Sequence, residues 1–305
     1  MGLQKGDKVA IVSMENWWKE LDGNVKRLKE ETEKQGFVAD ILFYDKFFIT
    51  FNDKKIGFWY GEKKKNMKDY SLIIPVINVS KDLEINTFFI KALEELGIPV
   101  KNKVSSILKA KNKARTTFIL AQKGIPVVPS AITFSEVGLK PLFNFIKGDE
   151  YVCKLNEGSL GKGVSYINSK MSLISTLELL KAGNIEPSRI LFQKFIKESA
   201  GRDIRVIVAG KKVIGSMQRE SEGIDFRSNL AGGGKGTIYQ PSDRIKKIAI
   251  GAVQALGLSY GGVDVIQSKN GPMVVEVNAN PGLKIEKLTA TNVAKQIIKH
   301  LVSTV

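Results

Sequence analysis

The segment GGVDVIQSKNGPMVVEVNANPG, at positions 261–282, constrains the fold of this chain more than any other part of its sequence. Two valine-rich runs flank Lys269–Gly271, and this pattern predicts two antiparallel strands joined by a tight turn. A turn centred on Asn270 places Asp264 directly opposite Glu276. The rear of the chain is therefore expected to contain an antiparallel sheet that carries two facing carboxylates.

One face of this predicted hairpin gathers oxygen ligands. Because side chains alternate along a strand, Glu276 and Asn278 share a face with Asp264. The opposite face is apolar and carries Val263, Val265, Val275 and Val277. Two carboxylates and an amide suit a magnesium ion that bridges substrate phosphates, and we expect both carboxylates to face solvent and metal rather than core. The alternative is the polar outer face of an ordinary sheet.

A glycine-rich loop precedes this hairpin in the segment KLNEGSLGKGVS. Lys154 lies on the predicted strand, and Ser159, Gly161, Lys162 and Gly163 lie in the loop. Glycines allow backbone amides to approach an anion closely, so this loop can fold over phosphates. The loop matches neither the Walker pattern nor the GxGxxG dinucleotide turn, and a plain hairpin turn is an equal alternative.

Arginines follow on the next predicted strands. The segment GRDIRVIV places Asp203 and Arg205 on one strand face, and Arg219 follows on the returning strand. Arg227 and Asn229 lie in the segment DFRSNLAGGGKG. Fixed guanidinium groups can stabilise the charge of a phosphoryl group during its transfer to a carboxylate. The alternative is that these arginines are ordinary surface residues.

The front of the chain has a different pattern. The strand-like run KVAIVSM, a helix from Asn24 to Gln35 and the run FVADILFY predict a β-α-β unit. The run SLIIPVINV and a helix from Leu83 to Leu96 predict a second unit, and parallel strands with crossover helices form a small open α/β domain. Between the units, FFITFNDKKIGFWYGEKKK predicts a hairpin. After residue 98 the pattern is antiparallel α+β.

Composition limits the chemistry that the chain can perform. Its 305 residues include one cysteine, Cys153, and one histidine, His300. A single cysteine excludes an intramolecular disulfide and a cysteine-rich metal centre, and a single histidine near the C-terminus gives little support to a catalytic triad or a zinc protease. The N-terminus lacks a signal-peptide pattern and no apolar run reaches membrane-spanning length, so we expect a cytoplasmic protein without a membrane partner.

The net charge of +16 is unevenly distributed. Residues 1–98 contain 16 lysines and arginines and 16 acidic residues, which leaves 31 and 15 of the totals of 47 and 31 for residues 99–305. A basic rear indicates an anionic ligand, whether phosphate, polycarboxylate or nucleic acid. Lysine-rich solvated surfaces are the alternative for most of these charges.

The rear segments, taken together and in this order, resemble the RimK-type ATP-grasp ligases, the family of the enzyme that adds glutamate to the C-terminus of a ribosomal protein. The resemblance is carried by GRDIRVIVAGKKVIGSMQRES, DFRSNLAGGGKG and GLSYGGVDVIQSKNGPMVVEVNANPGL. The segments KLNEGSLGKGV, QKFIKE and NKARTTFILAQKGIPVVPS fit the same family. The similarity extends from about residue 97 to residue 304.

This resemblance implies a pre-ATP-grasp α/β domain at 1–98, followed by an ATP-grasp fold whose two α+β subdomains, at 99–190 and 191–305, hold ATP between them. With the loop and strand residues above, the expected nucleotide-binding set is Lys113, Lys154, Ser159, Gly161, Gly163, Gln193, Lys194, Phe195, Ile196, Asp203, Arg227, Ser228 and Asn229. The expected catalytic residues are Arg205, Arg219, Arg227 and Asn229. Asp264, Glu276 and Asn278 would bind Mg²⁺ or Mn²⁺, as two ions.

Two positions depart from the family pattern. Lys194 stands where the family hinge usually has an acidic residue, and Ile74–Asn78 lacks an arginine and a glycine that members often have. The change at Lys194 concerns a side-chain contact with ribose or adenine, whereas backbone contacts of the hinge can survive it, and the change at Ile74–Asn78 concerns the choice of acceptor. The acceptor is therefore expected to differ from that of the named family member.

The residues and the resemblance together predict a carboxylate–amine ligase. A substrate carboxylate attacks the γ-phosphate of ATP to give an acyl phosphate and ADP, and an amine then displaces phosphate, so positioning and charge suffice without an enzyme nucleophile. Glutamate is the expected amine, and an acidic peptide or protein C-terminus or a small-molecule carboxylate is the expected acceptor. The alternatives are a basic nucleic-acid-binding protein and an ATP-binding regulatory module without turnover. The sequence also leaves open whether the protein forms a homo-oligomer.

Overall fold

A computed structural model describes residues 2–53, 55–77, 83–135, 138–158, 163–221, 234–289 and 291–305, without the side chains of 16–22 and 83. The strands are β1 (Lys8–Ser13), β2 (Val38–Phe43), β3 (Phe47–Asn52), β4 (Lys55–Tyr60), β5 (Lys63–Lys65), β6 (Leu72–Pro75), β7 (Ser130–Ala131), β8 (Tyr151–Leu155), β9 (Val164–Ile167), β10 (Ile190–Lys194), β11 (Arg202–Ala209), β12 (Lys212–Glu220), β13 (Lys235–Ile238), β14 (Tyr260–Ser268) and β15 (Gly271–Asn278). The helices are α1 (Glu15–Lys34), α2 (Leu83–Glu95), α3 (Val104–Lys111), α4 (Lys113–Gln122), α5 (Leu139–Phe145), α6 (Lys170–Ala182), α7 (Asp243–Ala255), α8 (Glu286–Thr289) and α9 (Val293–Ser303). None of these helices combines the length and apolarity that a membrane span needs.

The N-terminal unit is a parallel sheet in the order β2-β1-β6, as the β-α-β pattern predicts. The central strand has no exposed surface from Val9 to Val12, because both faces of a parallel sheet are covered. The predicted start of the first helix at Asn24 is wrong, since α1 begins at Glu15. The Asp45 carboxylate accepts a hydrogen bond from the Glu15 N–H at 3.1 Å, a distant cap that the local sequence does not reveal.

The segment between the two parallel units forms a separate antiparallel sheet in the order β3-β4-β5. The predicted hairpin corresponds to β3 and β4, and the lysine-rich run after it adds the third strand. Aromatic side chains fasten this sheet to α2, where the ring of Phe89 lies 4.5 Å from Phe47 and 6.0 Å from Phe58. Core packing therefore explains these aromatic residues.

The second unit is an antiparallel sheet in the order β7-β10-β8-β9, with α5 and α6 on one face. Tyr151, Cys153 and Phe192 alternate onto that face and are buried against Leu173 and the rest of the helical side. The other face therefore receives the intervening residues of β8 and β10. The predicted subdomain limit at residue 190 stays a prediction, and this sheet includes β10 in full.

The third unit is a five-stranded antiparallel sheet in the order β13-β12-β11-β14-β15. Helix α7 covers one face, where Ile245, Ala249 and Val253 pack on buried strand residues such as Val263. The hairpin of β11 and β12 and that of β14 and β15 both occur as the sequence predicts. The face away from α7 carries the predicted functional residues.

A β-bulge sets the register of the last hairpin. Next to the turn, Ser268 pairs with Gly271 and Val265 with Val274, so the predicted turn centred on Asn270 is wrong. The pairing shifts by one residue between Asp264 and Val265, and this shift restores the predicted pair of Asp264 with Glu276. The same shift changes the apolar face: Val274 and Val277 are buried, whereas Val275, predicted to be on the apolar face, is partly exposed.

Two polar side chains, of Asn102 and Arg27, join the N-terminal unit to the rest. The Asn102 amide donates to the carbonyls of Tyr260 and Ala279, both at 3.0 Å, and fixes the start of β14 beside the end of β15. Arg27 on α1 donates through Nε to Glu286 at 2.9 Å and through Nη2 to Asn292 at 3.2 Å. These contacts hold the N-terminal sheet against the strands that carry the site.

Replacing Arg27 by methionine is expected to lower the free energy of unfolding by roughly 1–3 kcal/mol, because Glu31 and Glu286 lose a partner that satisfies them in a poorly solvated place. The Glu31 side chain is 3% exposed and lies 3.1 Å from Arg27 Nη1. Urea unfolding of the purified protein measures the change. The control is Lys29→Met on the same helix, because the ion pair of Lys29 with Glu33, whose side chains are 33% and 47% exposed, is expected to contribute less than about 0.5 kcal/mol. Equal losses for the two variants would contradict the bridging role.

Candidate active site

A ladder of two arginines and two carboxylates crosses three strands of the third unit. Asp203 pairs with Arg219 across β11 and β12, and Arg205 pairs with Asp264 across β11 and β14. All four side chains occupy the face away from α7. Arg219 Nε donates to Asp203 at 2.7 Å and Nη2 reaches Asp264 at 2.9 Å, while Arg205 binds both oxygens of Asp264 through Nε and Nη2.

Burial gives this ladder its electrostatic character. Asp264 is 5% exposed, so the expectation that its carboxylate faces solvent is wrong. Burial alone raises the pKa of Asp264, but the guanidinium groups of Arg205 and Arg219 outweigh burial, and this pKa lies below its usual value. Burial and the neighbouring Asp264 charge raise the pKa of Asp203. The ladder therefore places two positive and two acidic side chains side by side on one face of the sheet.

The other two predicted metal ligands are on β15. Glu276 lies directly across from Asp264, and its side chain is 31% exposed. Within the part of the chain that the structure describes, the buried side-chain amide nitrogen of Asn278 has no hydrogen-bond partner, and the two ends of an amide are exchanged by a simple flip. Among the described residues no three His, Cys, Asp or Glu side chains gather as a metal cluster.

This donor set fits magnesium that arrives with substrate phosphates. Such an ion takes one or two protein carboxylates and fills its other positions with phosphate oxygens and water. Glu276 offers an accessible carboxylate, Asn278 has unsatisfied polar capacity, and Asp264 offers a carboxylate that two arginines share. Three oxygen-bearing side chains are therefore in place, and one of them already has cationic partners.

Two lysines from the second unit and its preceding helix face this ladder. Lys113 begins α4, and its Nζ donates to the Gly158 carbonyl at 2.7 Å and lies 4.0 Å from Glu276. Lys154 is on β8, on the face opposite the helices, and is electrostatically coupled to Glu276, Lys113, Asp264 and Asp203. The structure thus brings two lysines of the predicted nucleotide-binding set close to the predicted metal ligands.

Lys154 is a buried cation, 9% exposed. Burial lowers the pKa of its ammonium group to about 8, and the attraction of Glu276 offsets only part of that effect. A lysine in this condition gains more from a phosphate than a solvated lysine does, because its water has already been removed. Such a lysine suits a binding site for a multiply charged anion.

The predicted hinge, Gln193–Ile196, closes one end of the second sheet. The Gln193 side chain is 2% exposed and donates to Ser130 at 2.9 Å. The N–H groups of Lys194 and Phe195 already donate to the carbonyls of Pro129 and Glu150. A nucleotide base would therefore contact other backbone groups of this segment. The Lys194 side chain is exposed.

Some predicted residues lie outside the described part of the chain, and others have structural explanations. Gly163 has a φ of +73°, and a Cβ there would lie 2.6 Å from Leu155 Cδ1, so turn geometry alone requires glycine at this position. Gly163 O also accepts from the Leu155 N–H at 2.8 Å. The predictions that lie outside the described residues are Ser159, Gly161, Lys162, Arg227, Ser228 and Asn229.

The structure adds two positioning residues that the sequence analysis did not single out. The side chain of Asn156 accepts from the Ala114 N–H at 3.2 Å and donates to the Ser188 carbonyl at 3.1 Å, and it thereby holds the start of α4 beside β8. The ring of Tyr166 packs at a tilt of 57° against Phe195, with 4.7 Å between ring centroids, and its hydroxyl donates to Glu150. Strand alternation from Lys154 could have identified Asn156, two residues further along.

Comparison with known proteins places this geometry in a family. A family model for the RimK-like ATP-grasp domain matches residues 110–301. A probable alpha-L-glutamate ligase of Legionella pneumophila strain Corby is 33% identical over 279 residues, which cover 90% of each chain. A probable alpha-L-glutamate ligase of Citrobacter koseri is 33% identical over 298 residues, which cover 96% of this chain and 95% of the relative.

Solved structures have the same fold. The crystal structure of a RimK domain ATP-grasp protein from Sphaerobacter thermophilus superposes with a TM-score of 0.72 at 18% identity, covering 96% of this chain and 98% of that one. The ATP-grasp ligase PsnB, complexed with minimal precursor, Mg and ADP, superposes with a TM-score of 0.71 at 18% identity, covering 99% and 98%.

Two facing α+β sheets with lysines on one and acidic residues on the other define an ATP-grasp fold, here preceded by a parallel α/β unit. The chain belongs to the RimK-like ATP-grasp family, and it is an ATP-dependent ligase that forms carbon–nitrogen bonds. The predicted family and fold class are confirmed. Family membership supports a ligase over a nucleic-acid-binding protein or a module without turnover.

Proposed function

We propose that this ligase joins glutamate to the terminal carboxyl group of a peptide, a protein or a small-molecule carboxylate. The relatives named as probable alpha-L-glutamate ligases support glutamate as the amine. The description of PsnB as complexed with minimal precursor, and of a macrocyclase bound with precursor peptide, supports a peptide acceptor. The observation that carries the proposal is the pair Lys113 and Lys154 facing Glu276 and Asp264.

Each group on this face has a task in the proposed reaction. Lys113 and Lys154 bind phosphate oxygens, and the acceptor carboxylate is oriented in line with the γ-phosphorus. A carboxylate oxygen attacks that phosphorus, ADP leaves, and an acyl phosphate forms. The glutamate nitrogen then attacks the acyl carbon, phosphate leaves, and the nitrogen loses a proton. Magnesium bound through Asp264, Glu276 and Asn278 would neutralise charge on the phosphates during the first step.

The two arginines form ion pairs on the sheet face that the acceptor would approach. Arg219 is engaged with Asp203 and Asp264, and Arg205 is engaged with Asp264. In the described part of the site, four cations face three carboxylates: Lys113, Lys154, Arg205 and Arg219 against Asp203, Asp264 and Glu276. The local excess is one positive charge. Preference for an acidic acceptor therefore depends mainly on the basic surface of the rear, and it should be modest.

The test is phosphate release from ATP with glutamate, screened against paired peptides and small carboxylates, with mass spectrometry to detect one added glutamyl residue. Peptides that end in Glu are expected to be used severalfold faster than matched peptides that end in Lys, and this advantage should shrink as salt screens the basic surface beyond roughly 10 Å at 0.1 M. A C-terminally amidated peptide is the control, because it lacks the reacting carboxylate. Turnover of the amidated peptide at the same rate would overturn the proposed acceptor chemistry.

A further inference from the structure

The carboxylate of Asp264 has an arginine partner where a metal ligand needs a free oxygen edge. Arg205 contacts both Asp264 oxygens, with Nη2 at 2.7 Å from Oδ2, and Arg219 Nη2 lies 2.9 Å from the same Oδ2. A carboxylate offers about four acceptor positions, and these contacts use three of them. The one position left is on Oδ1, beside Arg205 Nε, so a divalent cation gains the other positions of this carboxylate only if one guanidinium group withdraws.

The two arginines differ in their ability to withdraw. Arg219 is also bound to both oxygens of Asp203, and its side chain is 7% exposed. Every hydrogen bond that the described structure gives the Arg205 side chain goes to Asp264, and that side chain is 13% exposed. Release of Arg205 leaves the Asp203–Arg219 pair intact, whereas release of Arg219 strands a buried Asp203. Arg205 is thus the exchangeable partner.

We propose that Arg205 is an exchangeable counter-ion of Asp264, which holds this carboxylate until a divalent cation arrives with a nucleotide and then turns to the bound anion. The inference rests on the proposed function, because it takes Asp264, Glu276 and Asn278 as the metal-binding face. Arg205 acts through Asp264 and is in this respect a positioning residue. The consequence is an order of binding in which nucleotide precedes or accompanies the metal.

Charge explains why the metal should not come first. A divalent cation that arrives alone meets Arg205 and Arg219 on Asp264 and two lysines nearby, so like charges oppose it. Nucleotide phosphates bring negative charge that attracts both the metal and the withdrawn guanidinium group. Metal affinity without nucleotide is therefore expected to be low and to be limited by Arg205.

Binding of Mn²⁺ alone to the full-length protein, followed by electron paramagnetic resonance, tests this role. Arg205→Gln is expected to bind Mn²⁺ without nucleotide at least about tenfold more tightly than the parent, because a competing charge is removed from Asp264. The matched control is Arg202→Gln on the same strand, since Arg202 is exposed and donates to the Glu198 carbonyl. The control should bind like the parent. Equal Mn²⁺ affinity for Arg205→Gln and the parent would overturn the inference.

A second variant and a second condition complete the test. Arg205→Lys keeps the charge but loses the two-pronged contact, so it is expected to bind Mn²⁺ alone more tightly than the parent and less tightly than Arg205→Gln. If Arg205→Gln does not fold, Arg205→Lys serves as the test, and an Mn²⁺ affinity of Arg205→Lys equal to that of the parent refutes the inference. With ADP present the difference between parent and Arg205→Gln should shrink. If the protein ligates glutamate but Arg205→Gln binds Mn²⁺ like the parent, only the counter-ion role of Arg205 is refuted. If Arg205→Gln binds Mn²⁺ more tightly but the protein does not ligate glutamate, only the proposed substrate is refuted.

Discussion

Glu276→Gln is expected to lower the rate of ligation at least about a hundredfold, because the proposed metal face loses the accessible carboxylate that would hold magnesium against the phosphates. The free energy of unfolding should fall only modestly, because the Glu276 side chain is 31% exposed and lies 4.0 Å from Lys113, although Lys154 also loses part of the attraction that offsets its burial. Steady-state phosphate release at saturating glutamate measures the first quantity, and urea unfolding measures the second.

Asp264→Asn provides the contrast. This substitution should also abolish turnover, but it leaves Arg205 and Arg219 with a neutral partner in a buried place, and breaking such a pair costs about 3–5 kcal/mol. The two metal-face variants therefore differ in stability while they agree in activity. Parental turnover in Glu276→Gln, or equal stability of the two variants, would contradict the roles assigned to these carboxylates.

The sequence alone does not predict that Asp264 is buried in ion pairs while Glu276 is partly exposed. Alternation along a strand predicts that Asp264 and Glu276 share a face, and the register confirms that they are partners. Alternation says nothing about what else lies on that face. Arg205 reaches Asp264 because β11, far away in the sequence, pairs with β14, and this pairing turns an expected solvent-facing ligand into a buried ion pair.

The same limit explains the error at the turn. The residues Lys269–Gly271 correctly indicate a hairpin, but a bulge between Asp264 and Val265 is not visible in a pattern of valines. Because a shift of one residue exchanges the two faces of a strand, the bulge moves Val275 out of the core and leaves Glu276 across from Asp264. The predicted partners are confirmed, whereas the predicted path of the strand between them is wrong.

Long helices and parallel strands were the more predictable part of the fold. The apolar runs of β1, β2 and β6 are continuous because both faces of that sheet are buried, and such runs are easily recognised. The amphipathic pattern begins at Asn24 and not at Glu15 because Gly23 interrupts it, although a helix tolerates one glycine at a cost of about 1 kcal/mol. The cap that begins this helix comes from Asp45, on the far side of β2.

Lys154→Met is expected to abolish use of ATP and, at the same time, to stabilise the nucleotide-free protein. The shift of the Lys154 pKa from 10.5 to about 8 corresponds to roughly 3 kcal/mol of unfavourable charge burial in the folded state. Below pH 8 the lysine is charged in both the folded and the unfolded protein, so this whole penalty destabilises the parent. Between pH 8 and about 10.5 the unfolded chain holds more protons, the penalty declines, and above that range it vanishes.

Urea unfolding of parent and Lys154→Met at pH 7 and at higher pH measures this penalty. The variant should be more stable at pH 7 by up to roughly 3 kcal/mol, and the two stabilities should converge as pH rises. Its kcat/KM for ATP should fall at least about a hundredfold, because the desolvated ammonium group is lost from the phosphate site. Lys212→Met, an exposed lysine at the start of β12, is the control and should change neither quantity. A variant that turns over like the parent would show that Lys154 does not contact phosphate, and one that is no more stable would show that its charge is not buried at a cost.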